Sequence, residues 1–395
     1  MNRIYFDHIS ANPVLKEVLE EMLPYFDRFF GNPQSSHSFG TSIMEKIEEA
    51  RGKVASLIGA NPEEIIFTSC GTESNNLAIK GIAQSYKNKG NHIITSSIEH
   101  LSIIHPLKTL KKNGFEITEL KVSPDGRIDP DDVRKSIKKE TILITIQHSN
   151  PEIGTIQEIE EIGKIAKENG ILFHTDAVSS CGIVDIDVNK LNVDLLSFSA
   201  QNFYGPKGIA GLFVRKGVKI LPQIEGGIQE RGIRSGLENV PGIIGMGKAA
   251  EIAKKNLKNW QEKFLSLREK ILNELPQRIE HVIITGSREK RLPNHASFCI
   301  KYIEGEAMIL SLDMEGISVT SGSACTSKAL KASHVLLSCG IEHATAQGSI
   351  VFSFGIENNE DDLKKLFEVF PPIVKRLRDM SPLYAKFLKE GKDVQ

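Results

Sequence analysis

The strongest constraint on the fold is an alternation of short apolar runs with helix-length amphipathic segments, which continues as far as Gly242. Ile43, Ile47 and Val54 share one helical stripe, and the run Ile65–Thr68 that follows is typical of a buried strand. Because strands separated by helices pair in parallel and are covered on both faces, this order predicts an α/β fold with a mostly parallel sheet. Further strands are predicted at residues 93–95, 142–146, 171–173, 195–198 and 211–214.

The pattern changes after Gly242, where residues 243–275 form one long helical segment rich in lysine and glutamate. This segment contains the single tryptophan, Trp260, which we expect to pack against a neighbouring element. Two strand-like runs, 298–301 and 317–320, come after it. The sequence therefore predicts a smaller C-terminal α+β domain whose boundary lies within the long helix.

Charge and cysteine content exclude several classes of function. The chain has 49 Lys and Arg against 50 Asp and Glu, so its net charge of -1 offers no general attraction to nucleic acid or to a membrane surface. No apolar run is long enough to span a bilayer, and the first residues lack the apolar core of a signal peptide. The five cysteines form no C-x-x-C pair, which argues against a disulfide framework and favours a reducing, cytoplasmic location.

Several polar residues follow predicted strands, at the sheet edge where α/β proteins bind ligands. Gly71 and Thr72 lie between a strand and a helix, where free N–H groups bind anions; alternatively, Thr72 or Ser69 is a helix N-cap. Asp176 can hold a protonated ring nitrogen or a metal, or can itself be an N-cap. His100 can stack on a flat ligand or simply pack in the interior.

Three further residues carry reactive or charged groups. Lys207 lies in the rigid turn 204–208 and either binds phosphate or is solvated. Cys325 lies in the small, polar stretch 320–327, where a thiol can act as nucleophile or metal ligand, although most cysteines are buried and inert. Cys70, beside the predicted anion site, is either a thiol of lowered pKa or a half-buried inert one.

Together these stretches resemble the cysteine desulfurases of iron–sulfur cluster assembly, which are fold-type I pyridoxal phosphate (PLP) enzymes of the class V aminotransferase group. The resemblance covers essentially the whole chain. The motifs that carry it are residues 31–33, 67–69, 71–81, 99–100, 152–154, 176–177, 199, 204–208, 234–236 and 321–327. Residues 10–13 and 380–384 look like an archaeal-type subgroup that lacks the Schiff-base lysine.

The resemblance implies a PLP-transferase fold with a large domain over residues 14–255, built on a seven-stranded type of sheet. It also implies a small domain from residues 1–13 and 256–395, a homodimer, and a partner scaffold protein. The cofactor site implied by the motifs comprises Gly71, Thr72, His100, Asp176 and Ser199. Cys325 matches the mobile thiolate that accepts sulfur from cysteine in this family.

The chain departs from the family at residues central to that chemistry. Asn202 stands where the lysine forms a Schiff base with PLP, and an amide cannot replace an amine there. Gln201 stands at the family histidine, and Val351 at the arginine that holds the substrate carboxylate. Three more family positions, which normally carry asparagine, glutamine and threonine, are occupied here by Pro151, Ser179 and Leu237.

These departures leave three hypotheses. The first is a desulfurase-like protein without ordinary PLP-dependent turnover, in which Cys325 accepts sulfur or ligates an iron–sulfur cluster shared with a scaffold protein. The second is an active desulfurase that holds PLP non-covalently, through Asp176 and His100. The third is a structural partner that forms mixed dimers with a true desulfurase. A visible spectrum with added PLP and a sulfide assay separate the first two.

Overall fold

The computed structural model describes residues 3–321 and 332–391. Its strands, in chain order, are β1 (Ile4–Tyr5), β2 (Ile65–Thr68), β3 (His92–Ser96), β4 (Glu116–Leu120), β5 (Thr141–Thr145), β6 (Leu172–Asp176), β7 (Leu195–Ser199), β8 (Ala210–Val214), β9 (Val282–Ile284), β10 (His295–Ile300), β11 (Ile317–Ser318) and β12 (Ser349–Ser353). Its helices are α1 (Lys16–Met22), α2 (Pro24–Asp27), α3 (Ser38–Leu57), α4 (Gly71–Tyr86), α5 (Leu101–Lys112), α6 (Pro130–Ser136), α7 (Ile159–Glu168), α8 (Val240–Arg278), α9 (Gly305–Met314), α10 (His334–Ser338), α11 (His343–Ala346), α12 (Glu360–Asp379) and α13 (Pro382–Glu390).

The central sheet has seven strands in the order β2-β8-β7-β6-β5-β3-β4. Only β8 runs antiparallel to its neighbours, β2 and β7, and the other pairs are parallel. Separate apolar clusters pack on the two faces of this sheet. The predicted α/β fold with a mostly parallel sheet is therefore confirmed, and each predicted strand of this sheet overlaps an observed one.

The edge strand β4 was not among the predicted strands. Its sequence, Glu-Ile-Thr-Glu-Leu, carries polar side chains, and only its last residue, Leu120, is buried, because β3 alone pairs with it. Charged residues are common on sheet edges, where they prevent pairing with other chains. A search for apolar runs therefore misses such a strand.

The long helix α8 passes from one apolar core into another. Its first half, up to Ala253, packs in the core on one face of the central sheet, and its second half, from Phe264 to Leu275, packs in a separate core. Trp260 lies between them and contacts both clusters, with its ring edge-on to Tyr204 at 5.2 Å. The division of domains at residue 255 remains a prediction.

The second core is built on two small sheets. Strands β12, β10 and β9 form an antiparallel sheet, while β1 pairs in parallel with β11. Phe6, next to β1, is fully buried in this core, between Phe352 and Phe354. Within the described residues, no helix is long and apolar enough to cross a membrane.

A buried ion pair joins Arg51 on α3 to Glu230 in the loop before α8, and both residues bond to the main chain of β2. The Arg51 guanidinium donates to both carboxylate oxygens of Glu230, at 2.8 and 2.9 Å, and lies over the ring of Phe67. The Phe67 N–H also donates to Glu230. Since β2 leads directly into α4, this cluster fixes the strand that positions the start of that helix.

Candidate functional site

A cavity of about 910 Å³ lies at the carboxyl ends of the parallel strands. Residues at or after the ends of β3, β5, β6 and β7 line it on one side, and β12 and α10 line it on the other. Of the residues predicted to form a site, the cavity brings together Gly71, Thr72, His100, Asp176, Ser199, Gln201 and Asn202. Cys325 lies outside the described residues.

One wall of the cavity is the N-terminus of α4. Gly71 is the first residue of this helix, and the first N–H groups of an α-helix have no partner within it. The N-cap is Cys70, which makes no side-chain capping bond, so the suggestion that Thr72 or Ser69 caps the helix is wrong. The Cys70 side chain is also exposed rather than half-buried. Free N–H groups and a helix dipole at this wall favour an anion.

Asp176, the last residue of β6, is fixed by two donors. Asn75 Nδ2 donates to its Oδ2 at 2.7 Å, and the Val178 N–H donates to its Oδ1 at 2.9 Å. Burial raises the pKa of Asp176, while these donors and the nearby His100 lower it. A turn, not a helix, follows Asp176, so an N-cap role is wrong. Asp176 is thus a buried, oriented acceptor facing the cavity.

His100 is the N-cap of α5, a role that the sequence did not predict. Its Nδ1 accepts from the Ser102 N–H at 3.2 Å and lies 2.7 Å from Ser102 Oγ. These contacts fix the imidazole beside the cavity, and the same Ser102 hydroxyl accepts from Asn75 at 2.8 Å. Through Asn75, the orientation of Asp176 is linked to that of His100.

Glu99 is fully buried beside these groups and also lines the cavity. Ser96 donates to its carboxyl group, as does the Gln147 N–H at 3.1 Å. Burial raises the pKa of Glu99 to about 8, and the charge of Asp176 adds to this effect. Glu99 is therefore mainly protonated at neutral pH.

The turn after β7 contains the family lysine position. Asn202 lies in a 3-10 turn, Ala200–Phe203, that follows Ser199 and ends at Tyr204 with a left-handed backbone. Asn12 Nδ2 donates to the main-chain oxygens of Gln201 and Asn202, at 3.1 and 3.3 Å. Asn202 is only 4 % exposed. The N-terminal segment thus clamps this turn in place.

Val351 lies in the middle of β12, between Ser297 on β10 and the bridge partner Thr320. It is 1 % exposed and lines the cavity. An apolar side chain there provides no charge to hold a carboxylate. The strand is fixed on both sides, so another residue of β12 cannot take this place by a shift in register.

The structure leaves two predicted residues apart from the cavity. Lys207 is exposed, does not line the cavity, and its Nζ donates to the Asn12 main-chain oxygen at 3.3 Å. Leu237 is exposed in the loop before α8. Lys207 therefore does not replace the missing lysine in this arrangement.

Sequence reasoning missed the role of Asn75. It lies four residues after Gly71, on the same face of α4, so the helical spacing could have placed both at one wall. Glu152 was read only as part of a motif; it is partly buried, accepts from Ser333, and burial raises its pKa to about 7. Among the described residues, no group of three or more metal-ligating side chains occurs.

The cavity fits the ring and phosphate of PLP but not a Schiff base. Asp176 would hold the ring nitrogen, His100 would lie against the ring, and the start of α4 at Gly71 would hold the phosphate. When bound, such a ring acts as an electron sink. Among the described residues, none donates to the buried Asn202 Oδ1, and the Asn202 amide offers no amine to an aldehyde. The fit is therefore to a non-covalently held group.

Comparison with known proteins agrees with this architecture. The aminotransferase class-V family model matches residues 4–366. The chain is 49% identical to the cysteine desulfurase IscS of Dictyoglomus turgidum, covering 96% of both chains. It is 47% identical to cysteine desulfurase IscS 1 of Archaeoglobus fulgidus, covering 97% of this chain and 100% of the relative.

Solved structures show the same fold. A NifS-like protein superposes with a TM-score of 0.89 at 36% identity, covering 95% of this chain and 100% of its own. The apo cysteine desulfurase of Thermococcus onnurineus superposes with a TM-score of 0.83 at 29% identity, covering 95% of each chain.

Proposed function

Because the chain belongs to the cysteine desulfurase family of the class V aminotransferases, we propose that it acts in iron–sulfur cluster assembly without ordinary PLP-dependent desulfurase turnover. In this proposal it forms no covalent bond to a cofactor and contributes through its fold, its partner surfaces and Cys325. The proposal also includes a cytoplasmic location.

The observation that carries the proposal is the position of Asn202. It is buried, lines the cavity shared with Asp176 and His100, and has its turn clamped by Asn12. Ordinary turnover needs a lysine amine at that wall, because the amine binds the aldehyde and then transfers protons. The two lysines among the described lining residues, Lys108 and Lys111, lie on α5 instead.

Val351 supports the same proposal from the substrate side. A substrate carboxylate buried without a cation or hydrogen-bond donors loses several kcal/mol of hydration, on the order of the penalty for any buried unpaired charge. The apolar side chain of Val351 cannot offset this penalty. In this proposal, the missing lysine amine and the missing arginine both weaken the binding and cleavage of cysteine. Neither substitution disturbs the sheet.

The end of the cavity that would hold the PLP ring, here called the ring end, is formed by Asp176, His100 and the start of α4. It supports retention of a cofactor-like ligand. Asp176 keeps its two donors, and His100 keeps its orientation through Ser102. This is the specific observation that favours the second candidate function, a desulfurase with non-covalently held PLP. The two candidates differ in whether sulfide is released from cysteine.

We propose that Cys325 accepts sulfur or ligates a cluster shared with a scaffold protein. The support is the sequence of residues 320–327, which matches the family motif while the lysine and arginine positions do not. Thiolates are the usual protein ligands of iron–sulfur clusters.

We also propose a homodimer. Phe26, Phe29, Phe30 and Phe39 are all exposed near the N-terminus, and the Phe30 and Phe39 rings lie 6.0 Å apart. Soluble monomers seldom expose a contiguous apolar patch of this kind.

Light scattering should give twice the 43.7 kDa chain mass, and the double variant Phe26→Ser with Phe30→Ser should have a lower measured mass. Leu310→Ser, exposed elsewhere on α9, is the matched control.

The decisive test incubates the purified protein with PLP and cysteine and measures sulfide. We expect no sulfide above a no-protein control, and turnover would contradict the proposal. In parallel, cluster formation on a scaffold protein is followed by absorbance with the wild type and with Cys325→Ser. We expect the wild type to stimulate cluster formation and the variant to lose this effect. Equal stimulation by both proteins would show that Cys325 has no role in cluster formation.

A further inference from the structure

The side-chain amide of Asn202 turns its nitrogen, not its oxygen, to the cavity. The residue lines the cavity and is only 4 % exposed, and its Oδ1 has no accessible surface. Its Nδ2 keeps accessible surface, and no described residue accepts a hydrogen bond from it. An amide nitrogen carries two donors, and nearly all buried donors in folded proteins have a partner. The acceptor for Nδ2 therefore has to come from a molecule in the cavity.

Main-chain acceptors around this turn already have donors. Asn12 Nδ2 donates to the main-chain oxygens of Gln201 and Asn202, at 3.1 and 3.3 Å. The Ser10 oxygen accepts from Gln201 Nε2 at 3.4 Å, and the Asn12 oxygen accepts from Lys207 Nζ at 3.3 Å. Because the same bonds hold the turn, Asn202 does not reach another acceptor by a small backbone shift. Its N–H₂ group is thus a fixed donor that faces the cavity.

Asp176 and Glu99, the acidic side chains at the ring end, do not provide a free carboxylate for an ammonium group. Asp176 accepts from Asn75 and from the Val178 N–H, and it would hold the ring nitrogen. Burial raises the pKa of Glu99 to about 8, so this group is mainly protonated at neutral pH. Asn202 stands at the family lysine position, so its N–H₂ group would face the ring substituent that is an aldehyde in PLP.

We propose that Asn202 is a specificity-determining residue, which makes the cavity select PLP-type ring phosphates whose variable substituent accepts a hydrogen bond. An aldehyde or an alcohol meets this requirement, whereas an ammonium group, which only donates, does not. The inference rests on the proposed function, in which no lysine adduct forms. With a donor facing a donor, the amine form leaves Nδ2 without a partner and adds the cost of a desolvated charge.

The test is equilibrium dialysis of the whole protein against three analogues at neutral pH. At the same ring position, pyridoxine phosphate carries an alcohol, 4-deoxypyridoxine phosphate a methyl group and pyridoxamine phosphate an ammonium group. None of them is an aldehyde, so none forms an adduct with a lysine. We expect the alcohol to bind about 3–10-fold more tightly than the methyl analogue, as one net hydrogen bond provides. The ammonium analogue should bind no more tightly than the methyl analogue.

Three results with the wild type would overturn the proposal. The first is an ammonium analogue that binds as tightly as the alcohol or more tightly. The second is an alcohol that binds no more tightly than the methyl analogue, because the hydrogen bond to Nδ2 is then absent. The third is a lack of binding by all three analogues, because the cavity then does not take the ring.

Variants at position 202 locate the preference. Asn202→Asp keeps the shape of the side chain but its carboxylate only accepts, so it should bind the ammonium analogue more tightly than the alcohol. Asn202→Leu should bring the alcohol and methyl affinities to about the same value. Asn88→Leu, on an exposed turn, is the matched control and should keep the wild-type order. A wild-type order in Asn202→Asp contradicts the assignment, and this variant still decides if Asn202→Leu does not fold.

A separate measurement distinguishes failure of this inference from failure of the proposed function. Borohydride treatment of the protein with PLP, followed by mass mapping, shows whether a lysine of the cavity forms an adduct. Such an adduct would overturn the proposed function. Dialysis results against the expected order, without an adduct, would overturn only the present inference.

Discussion

The two ends of the cavity differ in the functional groups that their side chains offer. At the ring end, Asp176 accepts from Asn75 and from the Val178 N–H, and His100 is held by Ser102. At the substrate end, Asn202 offers an amide instead of an amine and Val351 is apolar. Both ends rest on fully formed elements of one fold, so the contrast lies in side chains and not in the scaffold. The ability to hold a ring is thus separable from the ability to react with it.

The largest effect should come from restoring the substrate end. We expect Asn202→Lys to form a Schiff base with PLP, and Asn202→Lys with Val351→Arg to release sulfide from cysteine at least roughly 100-fold faster than the wild type. The lysine supplies the amine and the arginine supplies the carboxylate clamp. Absorbance and a sulfide assay measure the two gains.

Val351→Arg alone is the control for that experiment, because it adds the clamp without the amine and should release no sulfide. If the double variant binds PLP covalently but stays inactive, the contrast between the two ends is incomplete, and further substituted positions such as Gln201 contribute.

The free energy of unfolding should depend strongly on the buried Arg51–Glu230 ion pair, which holds β2 and, through it, the start of α4 at the ring end. Glu230→Ala leaves the buried Arg51 guanidinium without its partner, which typically destabilises by about 3–5 kcal/mol. Urea unfolding measures the change in the free energy of unfolding. Asp379→Ala, which removes the exposed partner of the exposed Lys375, should change it by less than about 1 kcal/mol. Equal effects would show that the Arg51 cluster does not anchor β2.

Glu99 should make stability fall as pH rises. Its pKa is raised by burial to about 8, so the folded protein holds a proton that the unfolded chain releases near its ordinary pKa. The stabilisation is present below the unfolded pKa and is lost as pH approaches 8. Between pH 5 and 8, we expect the wild type to lose on the order of 2–4 kcal/mol more than Glu99→Gln. Parallel pH profiles for the two proteins would contradict this.

Asp176→Asn should weaken ligand binding at the ring end while keeping the shape of the side chain. Loss of a charged hydrogen bond to the ring nitrogen predicts about 10–100-fold weaker binding of PLP by equilibrium dialysis. Asp379→Asn, on the exposed end of α12, serves as the control. Unchanged affinity would mean that the ring does not contact Asp176.

Much of the fold could be read from the sequence, because buried parallel strands are apolar along their length. Strands β5 and β7 are fully buried and were predicted nearly to their ends. β4 escaped because it is a polar edge strand, whereas β12 is a short buried run between two serines that was taken only as part of a family motif. Local patterns identify burial, whereas pairing between distant segments needs the folded chain.

The same limit applies to the site. Gly71, Asp176 and Ser199 could be placed at one edge of the sheet because each follows a predicted strand. The role of Asn75 depends on α4 packing against β6, and the burial of Glu99 depends on contacts with Gln147. Neither is visible from spacing along the chain alone. The binding roles of these residues stay predictions.

The most direct test of the central claim is borohydride reduction of the PLP-saturated protein followed by peptide mass mapping. Free aldehyde is reduced and washed away, whereas a Schiff base becomes a stable mass addition on its lysine. The account predicts no stoichiometric addition in the wild type and a full addition at position 202 in Asn202→Lys. A stoichiometric addition on any wild-type lysine, Lys207 above all, would contradict it.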